Sequence, residues 1–226
     1  MKIKECIPEN RPREKATRFG MKTLTDQEVV CLLLGTGTKT RDVTQIATDL
    51  LKESENLSRL INLSLNELTA LSGIGQAKAL QIQAAFELTR RALKAKTYSL
   101  PIRTVEDVVE WLQVEYGCQL QEHFVVLFLD IKNGIICHKA LFIGTSHQSL
   151  VHPKEIFRQA YLVNAHQVLF VHNHPSDDPI PSLADIELTQ ALEETAQVCQ
   201  IPIMDHVIVG RSSAFSFRVH GLLESA

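Results

Sequence analysis

Aromatic residues are scarce in this chain: nine Phe, three Tyr and one Trp among 226 residues, 6% of the total. Single-stranded nucleic acid is held by aromatic side chains interleaved along a basic groove, and that interleaving is missing, which argues against a base-stacking surface. Long apolar runs are missing as well. None approaches the roughly 20 residues that a membrane span needs, and Met1-Lys2-Ile3-Lys4-Glu5-Cys6 lacks the apolar core of a signal peptide. A cytoplasmic protein without membrane contact is therefore expected. The five cysteines (Cys6, Cys31, Cys118, Cys137 and Cys199) are scattered, odd in number and form no Cys-x-x-Cys pair. They read as reduced, mostly buried thiols rather than a disulfide framework. Internal repeats and low-complexity segments are absent too. With 45% hydrophobic and 22% charged residues the composition is that of a folded globular protein, not a disordered one.

The net charge of -3 hides an asymmetry. Residues 1–99 carry 16 Lys+Arg against 11 Asp+Glu, a balance of +5, whereas residues 100–226 carry 7 against 15, a balance of -8. The two halves differ in electrostatic character, which suggests different partners. A polyanion can approach the first and is repelled by the second, except where a bound cation offsets the charge.

The first half patterns as helices. Thr25-Asp26-Gln27-Glu28 and Ser64-Leu65-Asn66-Glu67 are capping boxes, each opening an apolar helical segment. Gly35 and Gly37 stop the first segment, and Val43, Ile46, Ala47, Leu50 and Leu51 have helical spacing. A long helix is predicted from about Gln76 to Leu93, with Lys94–Leu100 as a linker. The second half mixes the two periods. Asn133-Gly134, between apolar runs at 123–131 and 135–143, is a strong hairpin signal. Helices are predicted after Thr104, at 153–162 and after Ser182, and strands at 167–171, 203–209 and 214–218. The order is α-β-β-α-β-α-β-β. The division expected is a helical domain over 1–97 and a mixed α/β domain over 102–224.

The chemistry concentrates at His172-Asn173-His174-Pro175, Ser182 and Asp185. Gln167–Val171 reads as a buried strand, and residues two apart on a strand point to the same side, so His172 and His174 can face one ion where it ends. Pro175, Pro179 and Pro181 impose a non-helical loop. Ser182 then has the place of an N-cap and Asp185 lies in the first turn. Three protein ligands (His172, His174 and Asp185) and no fourth is the ligand count of a catalytic zinc site, which keeps one position for water. The Ser182-x-x-Asp185 spacing is also that of a capping box, a structural device that is compatible with a role in a site.

In the helical half, Leu71-Ser72-Gly73-Ile74-Gly75-Gln76-Ala77-Lys78-Ala79 resembles a helix-hairpin-helix element. Gly73 and Gly75 would let the backbone approach a phosphate, the next helix would present its N-terminal amides, and Lys78 would add a charge. Such contact with DNA backbone reads no sequence and is weak and salt-sensitive. The bland alternative is a hairpin that only connects helices or docks a protein.

These words also carry a family resemblance. His172-x-His174, seven residues, Ser182, two residues, Asp185 matches the JAMM motif of MPN-domain metalloproteins. His172-Asn173-His174-Pro175-Ser176, Pro181-Ser182-x-x-Asp185, Val151–Phe157, Asp205-His206-Val207-Ile208-Val209-Gly210, Arg11–Lys15 and Leu33–Thr38 are similar to the RadC family, also called UPF0758. The match covers nearly the whole chain. It implies a C-terminal MPN (JAB/JAMM, cytidine-deaminase-like) α-β-α domain with one Zn2+ per chain, acting on a peptide or protein substrate. By resemblance the base for the zinc-activated water maps onto Glu122; the residues alone leave Asp130, Glu155 and Asp205 as rivals. The mechanism implied is amide-bond hydrolysis, with Glu122 moving the proton and the Ser182 hydroxyl helping zinc to stabilise the oxyanion. His206 or Asp205 is a candidate to hold a ligand imidazole from behind. The family's name adds an expected link to DNA repair and recombination. One departure stands out: the family has glycine after His-Asn-His-Pro-Ser, and this chain has Asp177, which tolerates a positive φ better than most residues and adds an acid beside the metal.

Two other classes remain. A metal-dependent nuclease favours a second metal, for which Asp177-Asp178 is the only hint. A non-catalytic, DNA-associated binding module would keep the ligands without turnover. A zinc deaminase is disfavoured, because its His-x-Glu and Pro-Cys-x-x-Cys words are absent.

Overall fold

A computed structural model describes residues 7–54, 57–144 and 152–223. Met1–Cys6 and Val151, both used above, and the last residue of the expected 102–224 domain lie outside the described residues. The chain divides into two compact units, Met1–Thr89 and Arg90–Ala226.

The first unit is helical: α1 (Pro12–Phe19), α2 (Asp26–Leu34), α3 (Val43–Glu53), α4 (Leu57–Leu60), α5 (Leu65–Ala70) and the start of α6 (Gln76–Tyr98). Capping boxes open α2 at Thr25 and α5 at Ser64 as the sequence predicts, and a third, Asp42 with Gln45, opens α3. Gly35 ends α2 at φ 73°, a conformation that glycine adopts without steric cost. The apolar faces of α2 to α6 meet in one core that includes Leu34, Ile46, Leu50, Leu68, Ile74 and Ile82.

The expected linker at Lys94–Leu100 is not one: α6 runs on to Tyr98. Leu93 and Tyr98 pack against the core around Trp111, and the Tyr98 ring meets Trp111 edge-on at 5.7 Å. Lys94 lies over the same ring, and Lys96 pairs with Glu110 at 3.6 Å. These contacts hold a helix that Leu93, Lys94, Ala95 and Lys96 already favour by propensity.

The second unit continues with α7 (Glu106–Tyr116), β1 (Glu122–Leu129), β2 (Ile135–Gly144), α8 (Pro153–Leu162), β3 (Gln167–Asn173), α9 (Leu183–Cys199), β4 (Ile203–Val209) and β5 (Ala214–Ser216). The element order is the one the sequence predicts. The five strands form a single sheet in the order β2-β1-β3-β4-β5. Only β3 and β4, joined through α9, are parallel; the other neighbours are antiparallel. Asn133 turns the β1–β2 hairpin at φ 64°, and the Asp130 carboxylate accepts the Lys132 and Gly134 amides inside it.

Both faces of the sheet are covered, which is why its central strands are apolar throughout rather than alternating. Phe124, Val126, Phe128, Val168, Phe170 and Ile208 face α8 and α9. Val125, Leu127, Leu129, Leu169, Val171 and Val207 face Val108, Trp111 and Leu112 of α7. The result is an α-β-α sandwich. No helix among the described residues is long and apolar enough to cross a membrane. The described cysteines (Cys31, Cys118, Cys137 and Cys199) are free, and of these only Cys31 is fully buried. Burial, with the Asp42 and Glu28 charges, pushes its thiol up to about 11.

Candidate metal centre

β3 ends on His172 and Asn173, and strand alternation sends their side chains to opposite faces. His172 points to the α9 side. There the third residue of α9, Asp185, comes back to meet it. His172 Nε2 lies 3.0 Å from His174 Nε2 and 3.3 Å from Asp185 Oδ1, and His174 Nε2 lies 3.4 Å from Asp185 Oδ2. Atoms held tetrahedrally on an ion by bonds of about 2.0–2.1 Å stand about 3.3 Å apart, and these separations bracket that value. His172, His174 and Asp185 are also the one cluster of at least three His, Cys, Asp or Glu side chains, among the described residues, that could hold a metal ion.

Each ligand is oriented by the chain around it. His174 Nδ1 donates to the Asp178 carbonyl at 2.7 Å, which leaves Nε2 to face the cluster. Asp185 sits in a complete capping box. Its Oδ2 accepts from the Ser182 amide at 2.8 Å and from the Ser182 hydroxyl at 2.6 Å, while the Asp185 amide donates back to Ser182 Oγ at 3.2 Å. Burial pushes the Asp185 carboxyl up, but hydrogen bonds from His172, His174 and Ser182 and the charge of His172 outweigh it and hold the group well below the usual carboxylate range. Burial works against a charged His174; the Asp185 and Asp178 hydrogen bonds and the charges of Asp185 and Glu122 overcome it and raise its pKa.

Glu122 is half-buried at the start of β1. The β1–β3 pairing sets Phe124 opposite His172. Glu122, two residues before Phe124 on β1, lies on the face that carries the cluster, and its charge acts on His174. The three rivals are engaged elsewhere. Asp130 is in the hairpin, Glu155 pairs with Arg158 at 3.4 Å, and Asp205 hydrogen-bonds Ser216 Oγ and the Arg218 amide. Asp205 alternates with His206 along β4 and so faces away from Asp185.

Three further residues, Asn173, His206 and Thr189, support the site. Asn173, fully buried on the far face, accepts from the His123 amide at 2.8 Å and donates to the Gln121 carbonyl at 3.1 Å. It thereby clamps the residues on either side of Glu122. His206, of the two candidates named from sequence, is the one behind His172: its Nε2 lies 2.9 Å from His172 Nδ1. Thr189, one turn after Asp185 on α9, meets His206 Nδ1 at 2.7 Å. A search for metal ligands passes over an asparagine and a threonine; only their burial singles them out.

Asp177 bears on the one departure from the family pattern. It does take a positive φ of 67°, but its carboxylate does not join the metal cluster. Oδ1 accepts the Arg211 amide at 2.5 Å and so pins the loop after His174 to the turn between β4 and β5. Asp178 Oδ1 accepts the Ile180 amide at 3.1 Å. Neither acid builds the second metal site that a two-metal nuclease requires.

In the first unit, Gly73 has φ 97°, and a Cβ there would meet Ile46 Cδ1 at 2.6 Å. A Cβ on Gly75 meets nothing within 4 Å. Lys78 Nζ donates to the Thr36 carbonyl at 2.6 Å and the Gly73 carbonyl at 3.3 Å. Internal packing thus accounts for Gly73 and Lys78 without a phosphate.

The family model described as a RadC-like JAB domain matches residues 102–222, and that described as UPF0758 N-terminal matches residues 3–80. The chain belongs to the RadC-like UPF0758 family. Its relatives span its whole length. A UPF0758 protein of Chlorobaculum parvum is 44% identical over 223 residues, covering 99% of this chain and 100% of the relative. The UPF0758 protein CT0611 of Chlorobaculum tepidum is 43% identical over the same shares. A Bacillus licheniformis member, UPF0758 protein BLi02933/BL00636, is 42% identical over 225 residues, again 99% and 100%. For this chain, membership means a metal-dependent hydrolase-like fold, with His172, His174 and Asp185 as the cluster that could hold the metal.

Proposed function

We propose that this RadC-like protein is a zinc-dependent hydrolase that cleaves peptide or isopeptide bonds. The observation that carries the proposal is the convergence of two imidazole nitrogens, 3.0 Å apart, on the two oxygens of one carboxylate at 3.3 and 3.4 Å, with a half-buried Glu122 on the neighbouring strand. Two imidazoles and one carboxylate are a donor set that suits zinc, and three ligands leave a fourth position open. The ion, when bound, supplies Lewis acidity and lowers the pKa of its water to about 7.

The protein's own groups do the rest. Glu122 receives the proton on its carboxylate and returns it to the leaving amine. Asp185, kept ionised by its neighbours, stays a ligand through the neutral range. Asn173 holds the backbone that aims Glu122. Ser182 has one hydroxyl proton, which it gives to Asp185 Oδ2. To donate to an oxyanion, that hydroxyl must rotate away from the carboxylate.

Metal content by mass spectrometry, on protein purified without an affinity tag, tests the site. About one zinc per chain is expected, and His174→Ala and Asp185→Ala should lose it. Glu122→Gln should keep the zinc and lower hydrolysis of a peptide library by 10²-fold or more, the usual worth of a positioned acid–base group. Zinc uptake with no cleavage in either protein would instead indicate a binding module. No zinc uptake on reconstitution would overturn the proposal.

A further inference from the structure

Behind His172 a chain of hydrogen bonds runs to the other end of the ligand set. His172 Nδ1 meets His206 Nε2 at 2.9 Å, His206 Nδ1 meets Thr189 Oγ1 at 2.7 Å, and Thr189 Oγ1 meets the Asp185 main-chain carbonyl at 2.6 Å. The direction of this chain is set at its far end. A carbonyl oxygen can only accept, so the single Thr189 hydroxyl proton goes to Asp185. Thr189 Oγ1 must then accept from His206, which places the proton of a neutral His206 on Nδ1 and a lone pair on Nε2. That lone pair can only accept from His172 Nδ1. A neutral His172 is then left with an unprotonated Nε2, and Nε2 is the atom that faces His174 and Asp185.

His206 is well placed to hold one tautomer. It is fully buried, stacks on Phe217 with centroids 4.6 Å apart, and meets Phe124 and Phe170 edge-on. Its two ring nitrogens are taken by His172 and Thr189, neither of which brings an anion. A charged imidazolium in this apolar box lacks the paired anion that burial demands.

We propose that His206 and Thr189 form a proton-directing relay that fixes His172 as the Nδ1–H tautomer and ties its ring to Asp185, so that two ligands from different elements are oriented as one unit. Both act as positioning residues. Ligand histidines usually donate to a carboxylate, a carbonyl or a water; here a second histidine takes that place, and the main chain of another ligand ends the chain. The relay rests on the zinc reading for its purpose but not for its direction, so the two can fail separately.

The test uses the full-length protein. Long-range 1H–15N spectra of the metal-free protein, labelled on histidine, report which ring nitrogen carries each proton. Nδ1–H is expected for both His172 and His206. Thr189→Val keeps the shape of the side chain and removes the acceptor for His206. His206 can then move its proton to Nε2, and His172 should shift to Nε2–H, although residue 189 does not touch it. Zinc affinity, read by competition with a chromophoric chelator, should fall about 10–100-fold in Thr189→Val and in His206→Phe, and Thr189→Ser should restore it. A wild-type His172 that carries no proton on Nδ1 would overturn the relay without any variant. So would a Thr189→Val protein with the wild-type tautomer and zinc affinity. A wild-type protein that shows the expected tautomers but binds no zinc would leave the relay standing and defeat the zinc reading alone.

Discussion

Ser182 offers a perturbation whose structural and chemical consequences separate. Its hydroxyl accepts the Asp185 amide at 3.2 Å and donates to Asp185 Oδ2 at 2.6 Å. Ser182→Ala removes both bonds. Losing an N-cap side chain costs about 1 kcal/mol, and losing a hydrogen bond to an ionised group costs about 1.5–3 kcal/mol on its own. The two overlap in one hydroxyl, so a fall of about 2 kcal/mol in the stability of the metal-free protein is expected, measured by urea denaturation. The Asp185 carboxylate nevertheless keeps the Ser182 amide at 2.8 Å, a main-chain donor that the substitution leaves in place. Zinc affinity should therefore fall by less than about tenfold, which is 1.4 kcal/mol. Ser182→Thr keeps both bonds and should behave as wild type. A stability within about 0.3 kcal/mol of wild type would refute the capping argument. A loss of zinc affinity beyond a hundredfold would show that the hydroxyl, not the main chain, holds the ligand. If Ser182→Ala instead lowers hydrolysis by 10² or more at saturating zinc, the hydroxyl acts on the substrate, as an oxyanion donor of that worth would.

Further outcomes follow from other contacts. Asn173→Ala should destabilise the protein by about 2–3 kcal/mol in denaturant titration, because it leaves the His123 amide and Gln121 carbonyl without their buried partner; Asn173→Asp should not rescue it, since a carboxylate cannot donate to a carbonyl. Asp177→Ala should cost about 2 kcal/mol by the same measurement, since it keeps a Cβ at φ 67° and loses the Arg211 amide bond, whereas Asp177→Gly, which relieves the backbone, should cost less. Burial lowers the pKa of His206, with the His172 charge adding, and burial also lowers that of His138. Below about pH 6.5 the unfolded chain therefore binds protons there that the folded one refuses, so stability falls as pH drops, by at most about 1.4 kcal/mol per unit for each net histidine. His174, whose pKa is raised, works the other way: its contribution is full below about pH 6.5 and fades as pH rises through its folded pKa. Below about pH 6.5, where the His174 contribution is already full, the two lowered histidines predict a metal-free protein that loses stability from about pH 6.5 to 5 in thermal melts; constant or rising stability there would contradict the assignment of these shifts.

What could be read without a structure was local. The capping boxes at Thr25, Ser64 and Ser182 work over three residues, the Asn133-Gly134 turn over four, and the alternation that aims His172 and His174 over two. In each case the physics is a backbone group and a side chain within one turn of each other, and the structure agrees at each. The element order of the second unit and its mixed α/β class follow from the same short-range periods.

What the tertiary structure decided lies across long separations. Helix at Lys94–Tyr98 is held where Tyr98 finds Trp111. The Asp177 carboxylate meets an amide 34 residues away instead of the metal cluster. Glu122 comes to the face of the cluster only because β1 pairs with β3, Phe124 opposite His172, and His206 rather than Asp205 lies behind His172 only because parallel β4 presents that face. Residue types alone nominate the ligands; pairing between strands sets which side chains meet them. That division reflects range: hydrogen-bond and steric rules reach about four residues along a chain, while a sheet brings together side chains that share no local signal.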